Sequence, residues 1–398
     1  MRRIAMTSNK PVIYLDHAAT SWPKPPAVAE AMMEILLHGT ANPGRGSHQM
    51  AVQSGRVLFG ARKRLAKLFR IANPNDISFA ANTTAALNLA IKGMLKPGDH
   101  VIATAVEHNS IRRPLEYLKA SIGIGVTYIE ATPEGEVRPE QVEQALTSRT
   151  ALVAAAHSSN LLGSILPVGE IGSITRKRGI PLLVDAAQSA GVLDIDVEAM
   201  GIDLLAFPGH KALLGPQGTG GLYIHPRLDP VPLLHGGTGS QSESAEQPTV
   251  RPDRYEAGTP NTPGIAGLAA GVQYVMDQTT AAIHAKETEL VSYLMEELAS
   301  VPGLRLLGPA AGKPRTGIVS LTMAGVEASE LSFILDQHYG IAVRSGYHCT
   351  PLAHYSAGTA ETGAVRASVG YSTTKEDAES FLTAIREIRS HYPMQGQG

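Results

Sequence analysis

Short apolar runs alternate with stretches of helical spacing through the first half of the chain. The runs at Ile77 to Ala80, His100 to Thr104, Gly125 to Ile129 and Thr150 to Ala156 have strand length and turn signals at their ends. Between them, Thr84 to Met94, Ser110 to Lys119 and Pro139 to Ala145 carry apolar residues at helical intervals. A helix from Pro167 to Arg178, a strand from Leu182 to Val184 and further strands at Leu204 to Phe207 and Gly221 to Ile224 continue the series. Runs this short, separated by helices, predict an α/β fold with a mostly parallel sheet covered on both faces, not an antiparallel sandwich.

Upstream, Ile13-Tyr14-Leu15 reads as a strand ending at the polar Asp16-His17-Ala18-Ala19-Thr20, and Trp22-Pro23-Lys24-Pro25-Pro26 forces extended backbone before a helix from Ala27 to about Leu37. A loop, Thr40 to Gly46, precedes a long helix from Ser47 to Phe69 with Leu58, Leu65 and Leu68 in its core face. The loop from Gly236 to Thr259 is long enough to suggest function or mobility. Past it come one helical stretch from Gly264 to Ala299, a strand at Gly317 to Leu321, a helix near Glu327 to Tyr339, a strand at Ala364 to Val369 and a helix from Lys375 to Ser390. The pattern divides into a large domain, 14–263, and a smaller C-terminal α/β domain, 264–398, joined by residues 1–13.

With 398 residues, 43% of them hydrophobic, the chain can bury a large core; its 40 glycines and 26 prolines follow no period and mark turns. A net charge of -2 without a basic block or interleaved aromatics excludes nucleic acid as an expected partner. No apolar segment reaches 18 residues and the start has no signal-like core, so the expectation is a cytoplasmic protein with no membrane partner. The single cysteine, Cys349, excludes an internal disulfide and any site built from several thiolates, and no metal is expected.

Candidate chemistry collects where strands end. Ala206-Phe207-Pro208-Gly209-His210-Lys211 offers an amine, and Leu182-Leu183-Val184-Asp185 ends in a carboxylate. A lysine that can join an aldehyde and an aspartate that can keep a pyridine nitrogen protonated are what pyridoxal 5'-phosphate requires. Gln188 adds a donor for a ring hydroxyl, and Asn82-Thr83-Thr84 sits between a strand and a helix, where hydroxyls and free N–H groups bind phosphate or merely cap the helix. His108, in Glu107-His108-Asn109-Ser110, can stack on a flat ring or move a proton, or serve as a cap; His157-Ser158-Ser159-Asn160 follows another strand in the same way. Cys349 lies in a loop with Arg344 and His348, cations that would favour a thiolate. Arg366 is a charge inside a strand, so it needs an anion, either a substrate carboxylate or an internal carboxylate.

These stretches, with Ala257-Gly258-Thr259-Pro260-Asn261, resemble the class V aminotransferase superfamily, in its cysteine desulfurase and selenocysteine lyase branch, over nearly the whole chain. The resemblance implies the PLP-dependent transferase fold of type I with a seven-stranded sheet. It makes Lys211 the lysine bonded to the cofactor, Asp185 the partner of the pyridine nitrogen, Gln188 a partner of the ring oxygen and His108 the residue stacked on the ring. Thr84 and His210 would hold the phosphate with Thr83 adjacent, Asn160 would lie near ring and substrate, Arg366 would bind the substrate carboxylate and Cys349 would accept sulfur. Thr259 would reach the phosphate of the other subunit, which implies a homodimer with shared active sites. The implied reaction converts L-cysteine to L-alanine with sulfur held on Cys349 as a persulfide, for delivery to an acceptor protein in iron-sulfur cluster assembly or another thiolation route. Selenocysteine lyase, or an aminotransferase or epimerase acting on another amino acid, are the alternatives.

Two departures bear on this. Pro208 stands where relatives place Ser or Thr, and proline has neither a hydroxyl nor a backbone N–H, which removes a phosphate contact and implies weaker cofactor binding. The cysteine loop resembles the shorter-loop desulfurases, whose activity often depends on a sulfur-accepting partner. It is slightly long for them, and Ser356 to Ala360 is expected to hold the extra flexibility.

Overall fold

The structure, a computed structural model, describes residues 12–39, 41–43, 46 and 48–392. Residues 1–11, expected to join the small domain, and parts of the expected 40–46 loop, with Ser47, lie outside the described residues. In chain order the strands are β1 (Ile13–Tyr14), β2 (Ile77–Ala80), β3 (His100–Thr104), β4 (Gly125–Ile129), β5 (Thr150–Ala156), β6 (Leu182–Asp185), β7 (Leu204–Pro208) and β8 (Gly220–Ile224). They continue as β9 (Leu304–Leu307), β10 (Ile318–Met323), β11 (Ile341–Ala342), β12 (Arg344–Gly346) and β13 (Ala364–Ser368). The helices used below are α1 (Pro26–His38), α2 (Gln49–Phe69), α3 (Thr83–Met94) and α4 (Asn109–Ile122), then α5 (Pro139–Ala145) and α6 (Val168–Lys177). After the long loop come α7 (Thr262–Gln278), α8 (Thr280–Ala299), α9 (Ala328–Tyr339), α10 (Pro351–Ser356) and α11 (Lys375–His391).

Seven strands form the expected mostly parallel sheet in the order β2-β8-β7-β6-β5-β3-β4. The pairs from β7 through β4 are parallel, and β8 alone runs against its neighbours β7 and β2. Alternate residues of each strand enter opposite cores: Ile102, Val153 and Val184 face one, while Val101, Leu152 and Leu183 face the other. Register then decides where the chemistry falls. Asp185, the last residue of β6, pairs with Ala156 at the end of β5 and with Ala206 on β7, so the loops after these strands open at one edge of the sheet.

The helical composition from Gly264 to Ala299 resolves into two helices. Thr279 takes a left-handed φ of 67° and its Oγ1 accepts from the Ala282 N–H, ending α7 and capping α8. On α7, Leu268 and Val272 belong to the core of the large sheet, whereas Leu290, Leu294 and Leu298 of α8 belong to the core of the second sheet. The packing passes from one core to the other along α8, where Ile283 still sits with Leu214 and Val275. The second sheet is antiparallel, β12-β13-β10-β9, and β9 is a strand that the polar Arg305 and its glycine-flanked setting concealed in the sequence. β1 pairs in parallel with β11, Ile13 opposite Ile341.

One close approach fixes the segment that carries the lysine. A Cβ at Gly271 on α7 would lie 2.4 Å from the Leu213 carbonyl oxygen, so only glycine lets the chain just after Lys211 rest on this helix. Gly271→Ala is expected to destabilise the protein by about 1–3 kcal/mol, read as a lower denaturation midpoint with an unchanged slope.

Candidate active site

The loops at the sheet edge surround a cavity of about 220 Å³ lined by Thr83, Thr84, His108, Asn160, Asp185, Gln188, His210, Lys211 and Arg366, among others. Nine of the sequence-predicted site residues thus meet in one place. Cys349 and Thr259 do not line it. Thr259 is on an exposed loop, and Cys349 sits at the rim, its Sγ 3.7 Å from the guanidinium of Arg344, which does line the cavity.

Lys211 follows β7 through Gly209, where a side chain would collide with Thr219 Oγ1 at 2.0 Å. Burial, then the charge of Arg366, pulls its amine down to about 8. Asp185 is buried at the end of β6, and one carboxylate oxygen accepts the Ala187 N–H at 2.9 Å. Burial pushes this acid up to about 6 against the opposing hydrogen bond and the Lys211 charge. Its other oxygen has no hydrogen-bond partner among the described residues, so a cationic N–H presented to it would find an acceptor in place.

At the start of α3 the Asn82 side chain takes the Ala85 N–H at 2.9 Å, which leaves the hydroxyls of Thr83 and Thr84 beside the helix N-terminus. Thr84 Oγ1 meets Ser110 Oγ at 2.8 Å, and Ser110 Oγ meets His108 Nδ1 at 2.9 Å. His108 turns out to be both things the sequence left open. Its Nδ1 accepts the Ser110 N–H at 3.0 Å and caps α4, while its ring lines the cavity. Because Nδ1 is the acceptor, the neutral ring carries its proton on Nε2; burial and the nearby Lys211 hold His108 down to about 4.

Arg366 resolves its alternatives in the same manner. It is 1% exposed, and its Nη2 donates to Asp16 at 2.9 Å while Nη1 donates to the Asn160 carbonyl at 2.8 Å. The internal ion pair exists, yet Nε is buried without a partner among the described residues and the residue still faces the cavity, so donors remain for a second carboxylate. The Asn160 side chain is committed elsewhere: its Nδ2 donates to the His348 carbonyl at 2.6 Å. Gln188 donates to the Ala18 carbonyl at 3.1 Å.

The cysteine loop is tied to the His108 turn. The Asn109 N–H donates to the Cys349 carbonyl at 2.7 Å and the Thr350 hydroxyl to the Glu107 carbonyl at 3.1 Å. His348 and Cys349 both adopt left-handed backbone, φ 48° and 59°, a conformation non-glycine residues hold only when surroundings impose it. Two expectations about this loop need correction. His348 is buried and held down to about 3, donating from Nε2 to the Ala364 carbonyl at 3.1 Å, so it is neutral and supplies no cation to the thiol. The extra residues are folded, not loose: Ser356 ends α10, Arg305 donates to the Ala357 carbonyl at 2.5 Å, and Tyr347 donates to the Ala360 carbonyl at 2.6 Å.

Sequence reasoning did not find Ser110, the Asp16 partner of Arg366, or the role of Glu107. Burial pushes the Glu107 carboxyl up to about 8, and one of its oxygens takes the Thr104 hydroxyl at 2.6 Å and the Ala156 N–H at 2.8 Å, joining the ends of β3 and β5.

This donor set fits pyridoxal 5'-phosphate: hydroxyls at a helix N-terminus for the phosphate, a buried acid with a free oxygen for the ring nitrogen, and an amine poised near neutrality. The sequence profile “Aminotransferase class-V” matches residues 13–381. The chain belongs to the class V aminotransferase family, in its cysteine desulfurase branch. It is 36% identical to a “Probable cysteine desulfurase” of Pyrococcus abyssi over 95% of this chain and 94% of that one. It is 34% identical to a “Cysteine desulfurase” of Escherichia coli O157:H7 over 95% and 93%. A solved apo structure of a cysteine desulfurase from Thermococcus onnurineus superposes with a TM-score of 0.89 at 36% identity, covering 96% of this chain and 95% of that one. The E. coli cysteine desulfurase CsdA, with an S-sulfonic acid, gives 0.86 at 27% identity over 96% of each chain.

A buried lysine amine that titrates near 8 in place of its ordinary 10.5 works against folding. Between those values the unfolded chain holds more protons, so the protein gains stability as pH rises through that window. Lys211→Met is therefore expected to stabilise the cofactor-free protein at neutral pH, with an advantage that shrinks from about pH 8 upward, measured by denaturant unfolding across pH.

Proposed function

We propose that this protein is a pyridoxal-phosphate-dependent cysteine desulfurase that converts L-cysteine to L-alanine and holds the released sulfur on Cys349 as a persulfide. The observation that carries this reading is the meeting of Lys211, Asp185 and Arg366 around one cavity with the chain's only thiol at its rim. When bound, the cofactor supplies an electron sink for the substrate carbons. Lys211 is the group that takes up and returns protons at carbon, a task suited to an amine titrating near 8. Asp185 holds the ring nitrogen's proton. Arg366, fixed by Asp16 and Asn160, receives the substrate carboxylate.

Sulfur transfer then falls to Cys349. Its thiolate attacks the substrate sulfur, an S–S bond forms, and the carbon–sulfur bond breaks with its electron pair left on carbon, where protonation yields alanine. The Arg344 guanidinium supports the anionic sulfur. The neutral His108, with its proton on Nε2, is placed to exchange a proton with the substrate thiol. The tied cysteine loop favours a sulfur acceptor that comes to the thiol, in line with dependence on a partner protein. A homodimer suits two further features: exposed Met33, Leu36 and Leu37 on α1 with Met50 and Phe59 on α2, and a Thr259 loop that leaves its own cavity untouched. A thiol that must stay reduced suits the cytoplasm.

Three variants test the reading. With the cofactor-loaded protein and reductant, alanine release from L-cysteine is expected to fall about a hundredfold or more in Cys349→Ala and to vanish in Lys211→Ala. Equal release from wild type and Cys349→Ala would favour a selenocysteine lyase, and amino transfer to a keto acid would favour an aminotransferase. Arg366→Lys, which keeps charge but loses the bidentate fork, is expected to raise KM for cysteine about tenfold, measured in the same assay.

A further inference from the structure

The carbonyl of His210, one residue before the lysine, draws an unusual number of donors. The Ser21 N–H reaches it at 3.1 Å and the Lys24 ammonium at 2.6 Å, while Thr20 Oγ1 lies 3.0 Å and Ser21 Oγ 3.2 Å from it. Lys24 also donates to Ser21 Oγ at 2.6 Å, and Ser21 Oγ, with one proton to give, donates it to the nearer Lys211 carbonyl at 2.8 Å. Lys24 is half-buried and makes no ion pair among the described residues. Burial pulls it down to about 8.

The proton count in this cluster decides the state of His210. Thr20 Oγ1 lies 3.0 Å both from the His210 carbonyl and from His210 Nδ1, and it has one proton to give. A carbonyl has two lone pairs. The Ser21 N–H and the charged Lys24 donor fill them, and a charge-assisted bond outcompetes a neutral hydroxyl. The Thr20 proton is then released to Nδ1. His210 lines the cavity, burial holds its ring neutral at the pH of interest, and its Nε2 has no hydrogen-bond partner among the described residues.

We propose that Lys24, through Thr20, is a positioning residue that sets the His210 tautomer, placing the ring proton on Nε2 where it is a donor to an anionic group in the cavity. Without the ammonium, the Thr20 hydroxyl turns to the vacated carbonyl lone pair. His210 then keeps its proton on Nδ1 and presents a bare lone pair to the anion. This restores a donor on the strand segment where Pro208 has none to offer. The inference rests on the cofactor reading for the identity of the anion, the cofactor phosphate, but the tautomer itself does not.

The test labels histidine with 15N and reads the His210 ring nitrogens with and without pyridoxal 5'-phosphate, alongside the dissociation constant of that cofactor. Wild type is expected to show the Nε2–H tautomer. Lys24→Met is expected to show Nδ1–H and to bind the cofactor about tenfold more weakly, and Lys24→Arg, which still donates to the carbonyl, is expected to restore both. Thr20→Val, should Lys24→Met not fold, leaves Nδ1 with no hydroxyl to donate to it and is expected to give a mixture of tautomers and weaker cofactor binding, which adding Lys24→Met does not change further. An Nδ1–H tautomer in wild type, or an Nε2–H tautomer with unchanged affinity in Lys24→Met, overturns the proposal. A wild type that shows Nε2–H yet binds no cofactor supports the tautomer assignment and sinks the cofactor reading instead.

Discussion

Arg366 is the constraint on which the rest of the site depends. It is borne on β13 of the second sheet, is almost wholly buried, and reaches Asp16 on the N-terminal loop and the Asn160 carbonyl after β5. Three segments distant in sequence are brought to one guanidinium. A buried arginine with one orphaned N–H is costly, and the cost is offset only if these partners, and an anion arriving in the cavity, stay in register. The Asn160 side chain extends the tie to the cysteine loop through the His348 carbonyl, so the Arg366 cluster and the thiol loop are held by one connected set of bonds.

The electrostatics follow from this arrangement. Lys211, Arg344 and Arg366 crowd a cavity whose acids are Asp185 and, beyond Arg366, Asp16. Burial disfavours charge on the histidines, and the neighbouring cations disfavour it further: His108 and His210 are both held to about 4. The histidines are therefore neutral hydrogen-bonding groups whose tautomers matter, and the lasting positive field is left to Arg344 and Arg366. Such a cavity favours ligands with a phosphate and a carboxylate. Stability is spent on this, since both the lysine and Asp185 are buried away from their preferred charge states.

The parallel sheet was legible because each strand is a short apolar run with helices between, and residues after strands necessarily open at one edge. Lys211, Asp185, Thr83, Thr84 and His108 were legible for that reason, each being a polar group next to such a run. What the chain concealed are contacts between distant segments. Asp16 and Arg366 are 350 positions apart, and Lys24 reads only as part of an extended proline-rich stretch until it is seen beneath the His210 carbonyl. The break at Thr279 was hidden because residues of helical composition flank it on both sides, although its hydroxyl cap is a local signal. His348 misled because charge was inferred from residue type, whereas burial among Arg344, Arg366 and His354 decides it.

The proposed passage of sulfur from L-cysteine to Cys349, at a site organised by Lys211, leaves a chemical mark on the thiol. The most direct measurement is a single turnover of the cofactor-loaded protein with L-cysteine, without reductant, followed by mass spectrometry of the Cys349 peptide and quantification of alanine. One added sulfur atom on that peptide, removable by a thiol, is expected together with one alanine for each modified chain. Alanine formed while the Cys349 peptide stays unmodified would contradict it.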